Sequence, residues 1–360
     1  MKRQQTTRHQ ITQQLLSWYD ENKRDLPWRG TDDPYLVWVS EIILQQTRVS
    51  QGWDYYVRFI RRFPNVASLA NANEEEVLKL WQGLGYYSRA RNMHAAAKDI
   101  VSRFNGKFPT SHTDILSLKG IGEYTAAAIS SIAFNEPHVA VDGNVLRVIA
   151  RLFEVEEPVQ STKGKRIVKE LTKELLPEER PGAFNQAIMD LGSLICIPRQ
   201  PRCGDCPLAN SCMVYATGRT EELPIRIKKK KTRRRYFTYL HIRQNGNTYI
   251  RRRTDNDIWR NLYEFPLIET DKPIEIEELL QNDEYNQLFR ETTLLAIDGP
   301  FTYKHQLTHQ QIHANFYRLT MEKGAVHAFM DQYKQIVEEE IERYPISRLM
   351  HKYIETNSNE

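Results

Sequence analysis

Four cysteines, Cys196, Cys203, Cys206 and Cys212, fall in the one stretch CIPRQPRCGDCPLANSC, and the 360-residue chain has no others. Their spacing is C-x6-C-x2-C-x5-C. Clustered thiols that include a C-x2-C pair read as a metal site in a reducing compartment, where structural disulfides are rare. Thiolates are soft ligands that suit zinc or an iron–sulfur cluster, and spacing alone leaves both open. Pro198 and Pro201 let the loop wrap a cofactor without regular structure, while Arg199 and Arg202 face either phosphates or solvent.

Two carboxylates and a glycine pair also have the surroundings that chemistry needs. Glu41 lies in TDDPYLVWVSEIILQQTRV, a helix apolar nearly all round, on a narrow polar strip with Gln45 and Arg48. Burial there raises a carboxyl's pKa and keeps its proton available; the plain alternative is an intrahelical pair with Arg48. Asp142 in VDGNVLRVIARLF precedes a helix whose positive end favours the ionised carboxylate, although Asp is also a common N-cap. Gly120 and Gly122 in LKGIGEYTAAAI open a helix. Without side chains there, backbone amides can approach an anion such as a DNA phosphate. A lone GxG is usually only a tight turn.

The elements that must position these residues are helical over the first two hundred residues. Asp33 before Pro34 marks a helix start, and further helices are expected at 74–83, 88–104, 124–134, 145–153, 163–176 and 183–195. The basic run RIKKKKTRRR, Arg226–Arg235, carries eight cations and no acid, as a solvated linker does. Such a run also neutralises phosphates. Beyond it YFTYLHIRQNGNTYIRRR reads as two strands joined at Asn245-Gly246, and QIHANFYRL alternates as a strand, so the remainder is α+β. The composition, 40% hydrophobic and 27% charged with a net charge of +4, suits a globular protein. With no membrane segment and no signal peptide at the N-terminus, a cytoplasmic chain is expected.

LKGIGEYTA followed by VDGNVLRV and then the cysteine loop resembles the helix-hairpin-helix DNA glycosylase superfamily in its iron–sulfur branch, over residues 8–216. The three motifs occur in the expected order. The resemblance implies a [4Fe–4S] cluster on the four cysteines, structural in role. The endonuclease III type has a lysine where this chain has Tyr124, and a phenol cannot form a Schiff base with the sugar. Tyr124, Glu41 and the GLGYYSRARN segment are instead similar to the adenine DNA glycosylases. Breaking an N-glycosidic bond needs a protonated leaving base and a stabilised oxocarbenium-like sugar, hence one neutral and one ionised carboxyl. By resemblance Glu41 protonates adenine at N7, Asp142 stabilises the sugar C1′, Asn144 assists and Tyr124 sits beside the sugar. The base must leave the stack first. Gln46 and Tyr86 match intercalating positions, and Trp28 and Arg29 in LPWRG match the adenine pocket.

NLYEFPL, Asn261–Leu267, resembles an element of the Nudix-like domain that such enzymes carry, without the catalytic box for pyrophosphate hydrolysis. Its implied role is recognition of 8-oxoguanine. Leu307-Thr308-His309 stand where relatives have Phe-Ser-His, so Thr308 and His309 keep hydrogen-bonded readout while aromatic stacking is lost. His305, His309 and His313 straddle a turn and a strand, which speaks against a metal. The expected organisation is a catalytic domain over 1–216 containing the loop 196–212, a linker over 217–235, and a damage-recognition domain over 236–360. The expected activity is hydrolytic removal of adenine opposite 8-oxoguanine or guanine in duplex DNA, by a nucleoid-associated cytoplasmic monomer. The competing readings are an endonuclease III-type glycosylase and a non-enzymatic iron–sulfur DNA binder, which has no need of both Glu41 and Asp142.

Overall fold

A computed structural model describes residues 7–225, 227, 232–289, 294–322 and 332–357. Half of the basic run, residues 226 and 228–231, therefore lies outside the described residues. The chain divides into two compact units. The first takes in the chain up to Asn71 and again from Asn92 to the basic run; the second takes in Ala72–Arg91 and the chain beyond that run. No helix among the described residues is long and apolar enough to cross a membrane.

The first unit is helical. The helices that carry the site are α1 (Arg8–Asn22), α2 (Pro34–Leu44), α3 (Val49–Arg62), α4 (His112–Ser117), α5 (Glu123–Ala133), α6 (Gly143–Leu152) and α7 (Pro181–Leu194). Helix α2 lies against α5, while α1, α5 and α6 all pack on α7. Buried Ala126, Ala127 and Ala128 keep α5 slim, and Gly182 lets the start of α7 approach α5, since a Cβ there would lie 2.6 Å from the Ser131 carbonyl oxygen.

Local chemistry explains where α2 begins. The Asp33 carboxylate accepts from the Tyr35 N–H at 2.8 Å with Pro34 in the first turn. Its end differs from expectation. The apolar periodicity carries a helix through Arg48, yet α2 stops at Leu44; Gln46 adopts φ +59° and Arg48 is the extended N-cap position before α3. Glu41, Gln45 and Arg48 are thus not one strip on a helix. No glycine or proline marks the break, so the sequence pattern reads straight through it.

Helices α4 and α5 are joined by a hairpin at Leu118–Gly122. Gly120 has φ +82°, and a Cβ there would lie 2.6 Å from Asn92 Cβ, so only glycine fits. Gly122 differs: its φ is −101°, open to any residue, and the space around its absent Cβ is empty. As the N-cap of α5 it offers no side-chain hydrogen bond, leaving the helix N–H groups uncapped.

The second unit is α+β. One sheet has the order β4-β1-β6-β5, built from β1 (Arg233–Arg243), β4 (Leu267–Thr270), β5 (Leu294–Gln306) and β6 (Gln310–Met321). Here β1 runs parallel to β6, and the other pairs are antiparallel. A second sheet has the order β3-β2-β7, from β2 (Asn247–Arg252), β3 (Tyr263–Glu264) and β7 (Lys334–Val337). The Asn245-Gly246 turn forms with φ +52° and +74°, as a two-residue hairpin needs. Its strands part after the Gln244–Asn247 bridge and join different sheets. In β6 the alternation ends at Phe316, because Tyr317 and Leu319 are buried in a second apolar cluster on the other face.

Candidate active site

Glu41, Tyr124, Asp142 and Asn144, with Trp28, Arg29 and Gln46, line one cavity of about 590 Å³ in the first unit. Residues separated by a hundred positions meet because α2, α5 and α6 converge there. Glu41 stands on α2 and is half-buried; Tyr124 opens α5; Asp142 is the N-cap of α6.

The two carboxylates are supported very differently. Glu41 Oε2 accepts one hydrogen bond, from the Tyr124 hydroxyl at 2.7 Å. Asp142 accepts three: from the N–H groups of Asn144 and Val145, each at 2.8 Å, and from Asn144 Nδ2 at 2.7 Å. Burial pushes Glu41 up to about 7; the Tyr124 hydrogen bond and Arg29 pull against this, and the nearby charge of Asp142 reinforces it. Burial also raises Asp142, but its Val145 and Asn144 donors oppose the rise, as does Arg147. Of the pair, Glu41 is the one that keeps a proton near neutrality and Asp142 the one equipped to be an anion. Burial and the adjacent carboxylates hold the Tyr124 phenol well above its ordinary value, so it stays a donor.

Two anchors were not foreseen from the sequence. Asp190 on α7 is fully buried and takes both arms of Arg29, at 2.6 and 2.8 Å, together with Arg24. Arg29 is therefore held in place by a carboxylate before any ligand arrives. The signal was available: an acid alone in the apolar stretch AIMDLGSLI is as conspicuous as Glu41 in its helix. Arg147 donates to Asn144 Oδ1 at 2.8 Å, to the Gly192 carbonyl at 2.7 Å and to the Cys196 carbonyl at 2.7 Å. Nothing in its sequence context distinguishes it from a solvated helix arginine.

Gly192 gives a direct check on this support. A Cβ at that position would lie 2.6 Å from Asn144 Cβ. Gly192→Ala should push Asn144 off Asp142 and slow single-turnover base release by roughly 10²-fold, the scale of a small misplacement at a reacting centre. A variant that folds with the wild-type rate removes Asn144 from the catalytic set.

The four cysteines are half-buried, and Cys196, Cys206 and Cys212 pack against the core cluster that contains α6 and α7. Among the described residues no three His, Cys, Asp or Glu side chains converge tightly enough for one metal ion, whereas an iron–sulfur cluster is wider than a single ion. Main-chain N–H groups face two of the sulfurs, that of Leu208 toward Cys206 and those of Val214 and Tyr215 toward Cys212. An all-thiol donor set with N–H groups aimed at sulfur fits a [4Fe–4S] group. Arg199 and Arg202 in the loop are exposed.

Tyr86, Thr308 and His309 belong to the second unit. Tyr86 is 47% exposed with φ +49°, and its hydroxyl lies 2.5 Å from Thr308 Oγ1. Thr308 and His309 are exposed at the β5–β6 turn, while Leu307 packs on the core of the unit. His305 rests on Trp259 and His313 against Tyr236.

Comparison with known proteins agrees with this architecture. Residues 39–178 match the family described as HhH-GPD superfamily base excision DNA repair protein, and residues 238–356 match the NUDIX domain. The chain is 33% identical over 309 residues to the adenine DNA glycosylase of Buchnera aphidicola subsp. Baizongia pistaciae, a match covering 84% of each chain. It is 45% identical over 210 residues to the adenine DNA glycosylase of Mus musculus, covering 56% of this chain and 41% of that one. Among solved structures it is similar to a thermostable thymine-DNA glycosylase at 29% identity and a TM-score of 0.54, covering 58% of this chain and 97% of the other. A helical unit that joins an acid, a phenol and a capped aspartate in one cavity, followed by a NUDIX-type unit, completes the assignment: the chain belongs to the adenine DNA glycosylase family of the HhH-GPD superfamily of base excision DNA repair proteins.

Proposed function

We propose that the protein hydrolyses the N-glycosidic bond of adenine opposite 8-oxoguanine or guanine in duplex DNA and leaves the strand uncut. The observation that carries this reading is the meeting of Glu41, Tyr124 and Asp142 in one cavity, with the carboxyls differently supported. Glu41, protonated near neutrality, delivers a proton to the departing purine. Asp142, with three donors, meets the positive charge that develops at the sugar C1′. Asn144 orients Asp142, and Tyr124 holds Glu41 while packing beside the sugar. Trp28 and the Asp190-anchored Arg29 form the wall that receives the extruded adenine, and Gln46, lining the same cavity, enters the gap it leaves; to Tyr86, on the second unit, we assign a DNA contact of its own. The uncapped start of α5 after Gly122 receives a backbone phosphate. Strand cleavage through a Schiff base needs an amine, and among the described residues lining the cavity there is no lysine, which supports this reading.

Cys196, Cys203, Cys206 and Cys212 would hold a [4Fe–4S] cluster, which when bound supplies a rigid cross-link for the loop rather than a reacting group. Thr308 and His309 offer a hydroxyl and an imidazole for reading 8-oxoguanine. We further assign residues 1–216, apart from the Ala72–Arg91 segment that clusters with the second unit, to catalysis, the stretch from 217 to the start of β1 at Arg233 to a linker, and the chain from there on to lesion recognition.

The test is incubation with duplexes carrying adenine opposite 8-oxoguanine, guanine or thymine, scored for abasic sites and separately for nicks before alkali. Adenine release opposite 8-oxoguanine and guanine without nicking is expected. Equal release opposite thymine removes the mispair assignment, and alkali-independent nicks remove the monofunctional one.

A further inference from the structure

We propose that Arg151 is the internal counter-cation of the metal-bound cysteine loop, setting how firmly the cluster is held and at what potential it changes charge. The inference rests on the iron–sulfur reading above. Arg151, on α6, is only 2% exposed. Its guanidinium donates to Cys196 Sγ at 3.4 Å and to the carbonyls of Ile197 at 2.8 Å, Pro198 at 3.2 Å and Leu223 at 2.8 Å. Its own carbonyl accepts from Cys212 Sγ at 3.5 Å, so one residue touches the first and the last cysteine of the motif.

The carbonyls satisfy the N–H groups of Arg151 but carry no net charge. No carboxylate pairs with it among the described residues, in contrast to Arg219, which has Glu154, Glu156 and Glu222. A guanidinium does not lose its proton in proteins, and a buried charge without a counter-ion is strongly unfavourable. Four thiolates gathered on iron supply the missing anion, with Cys196 as the point of contact. Two consequences follow from that electrostatics. The guanidinium favours whichever cluster state carries more negative charge, which raises the midpoint potential. Its fork also ties Ile197 and Pro198 down, holding Cys196 ready to ligate.

Full-length protein purified anaerobically allows the test, read by iron content, protein-film voltammetry and the rate at which a chelator bleaches the visible absorption. Arg151→Met should shift the potential to more negative values and bleach faster on the order of tenfold, as loss of a ligand's supporting partner does. Arg151→Lys keeps the charge without the fork, so its potential should stay closer to wild type while bleaching still accelerates. Wild-type potential and bleaching in Arg151→Met overturn the proposal. Should that variant not fold, a wild-type bleaching rate in Arg151→Lys overturns it instead. Wild-type protein without iron overturns the cluster reading itself, a separate result from iron-loaded variants that behave as wild type.

Discussion

Glu41→Gln should bind lesion duplexes as wild type does and release adenine more slowly by on the order of 10²–10⁴-fold, the range for removing a general acid. Glutamine keeps the size of the side chain and an oxygen for the Tyr124 hydroxyl, so the loss isolates the proton. The pH dependence follows from the same group. In its proposed role Glu41 has to be protonated, so its contribution is full well below about 7 and is lost as pH rises through that value. At the acid end the rate falls as Asp142, itself raised above the ordinary aspartate value by burial, takes up a proton. The two carboxyls sense one another, so the limbs belong to the pair rather than to either alone. Single-turnover rates across pH check this. A wild-type profile flat through neutrality, or near-normal release by Glu41→Gln, dismisses Glu41 as the acid.

Asp142→Asn should slow single-turnover release by on the order of 10²–10³-fold, the scale of losing one fixed electrostatic partner of a transition state, with little change in melting temperature. The substitution separates two roles that the sequence leaves entangled. Asparagine is as good an N-cap as aspartate, so it can still accept from the N–H groups of Asn144 and Val145 that Asp142 now holds. What it lacks is charge. A variant with a lowered melting temperature and an intact rate would make Asp142 a structural cap and nothing more.

The helices of the first unit were legible because their stripes are long and their starts carry caps: Asp33 with Pro34, and Asp142 before Gly143. The end of α2 was not, since Gln46 takes a left-handed conformation that no glycine announces. Burial of both faces of β6 beyond Phe316 was hidden for a different reason: it depends on which elements pack on each side of a sheet, a tertiary fact. Glu41 and Asp142 were readable as unusual acids in apolar settings, but their convergence in one cavity is a property of helix packing. Asp190 sits in an equally conspicuous apolar setting but belongs to no motif spacing, and its partners Arg24 and Arg29 lie more than 160 residues away. In the sequence Gly120 and Gly122 share one reading, backbone amides left open to an anion. Only Gly120 needs its backbone freedom, and the second position instead keeps space open.

The unequal support of the two acids sorts defects by how they present. Asp142 takes its donors from its own turn, so harm to it accompanies local damage and depresses activity in acid and alkali alike. Glu41 depends on a phenol carried by a different helix, so a substitution that removes that hydroxyl alone, such as Tyr124→Phe, frees its carboxyl from the donor while leaving it buried. Its proton affinity then rises, and the optimum slides toward alkali with the machinery otherwise intact. Inherited weakness in this enzyme should thus come in two kinds, one mended by changing the buffer and one that no buffer mends.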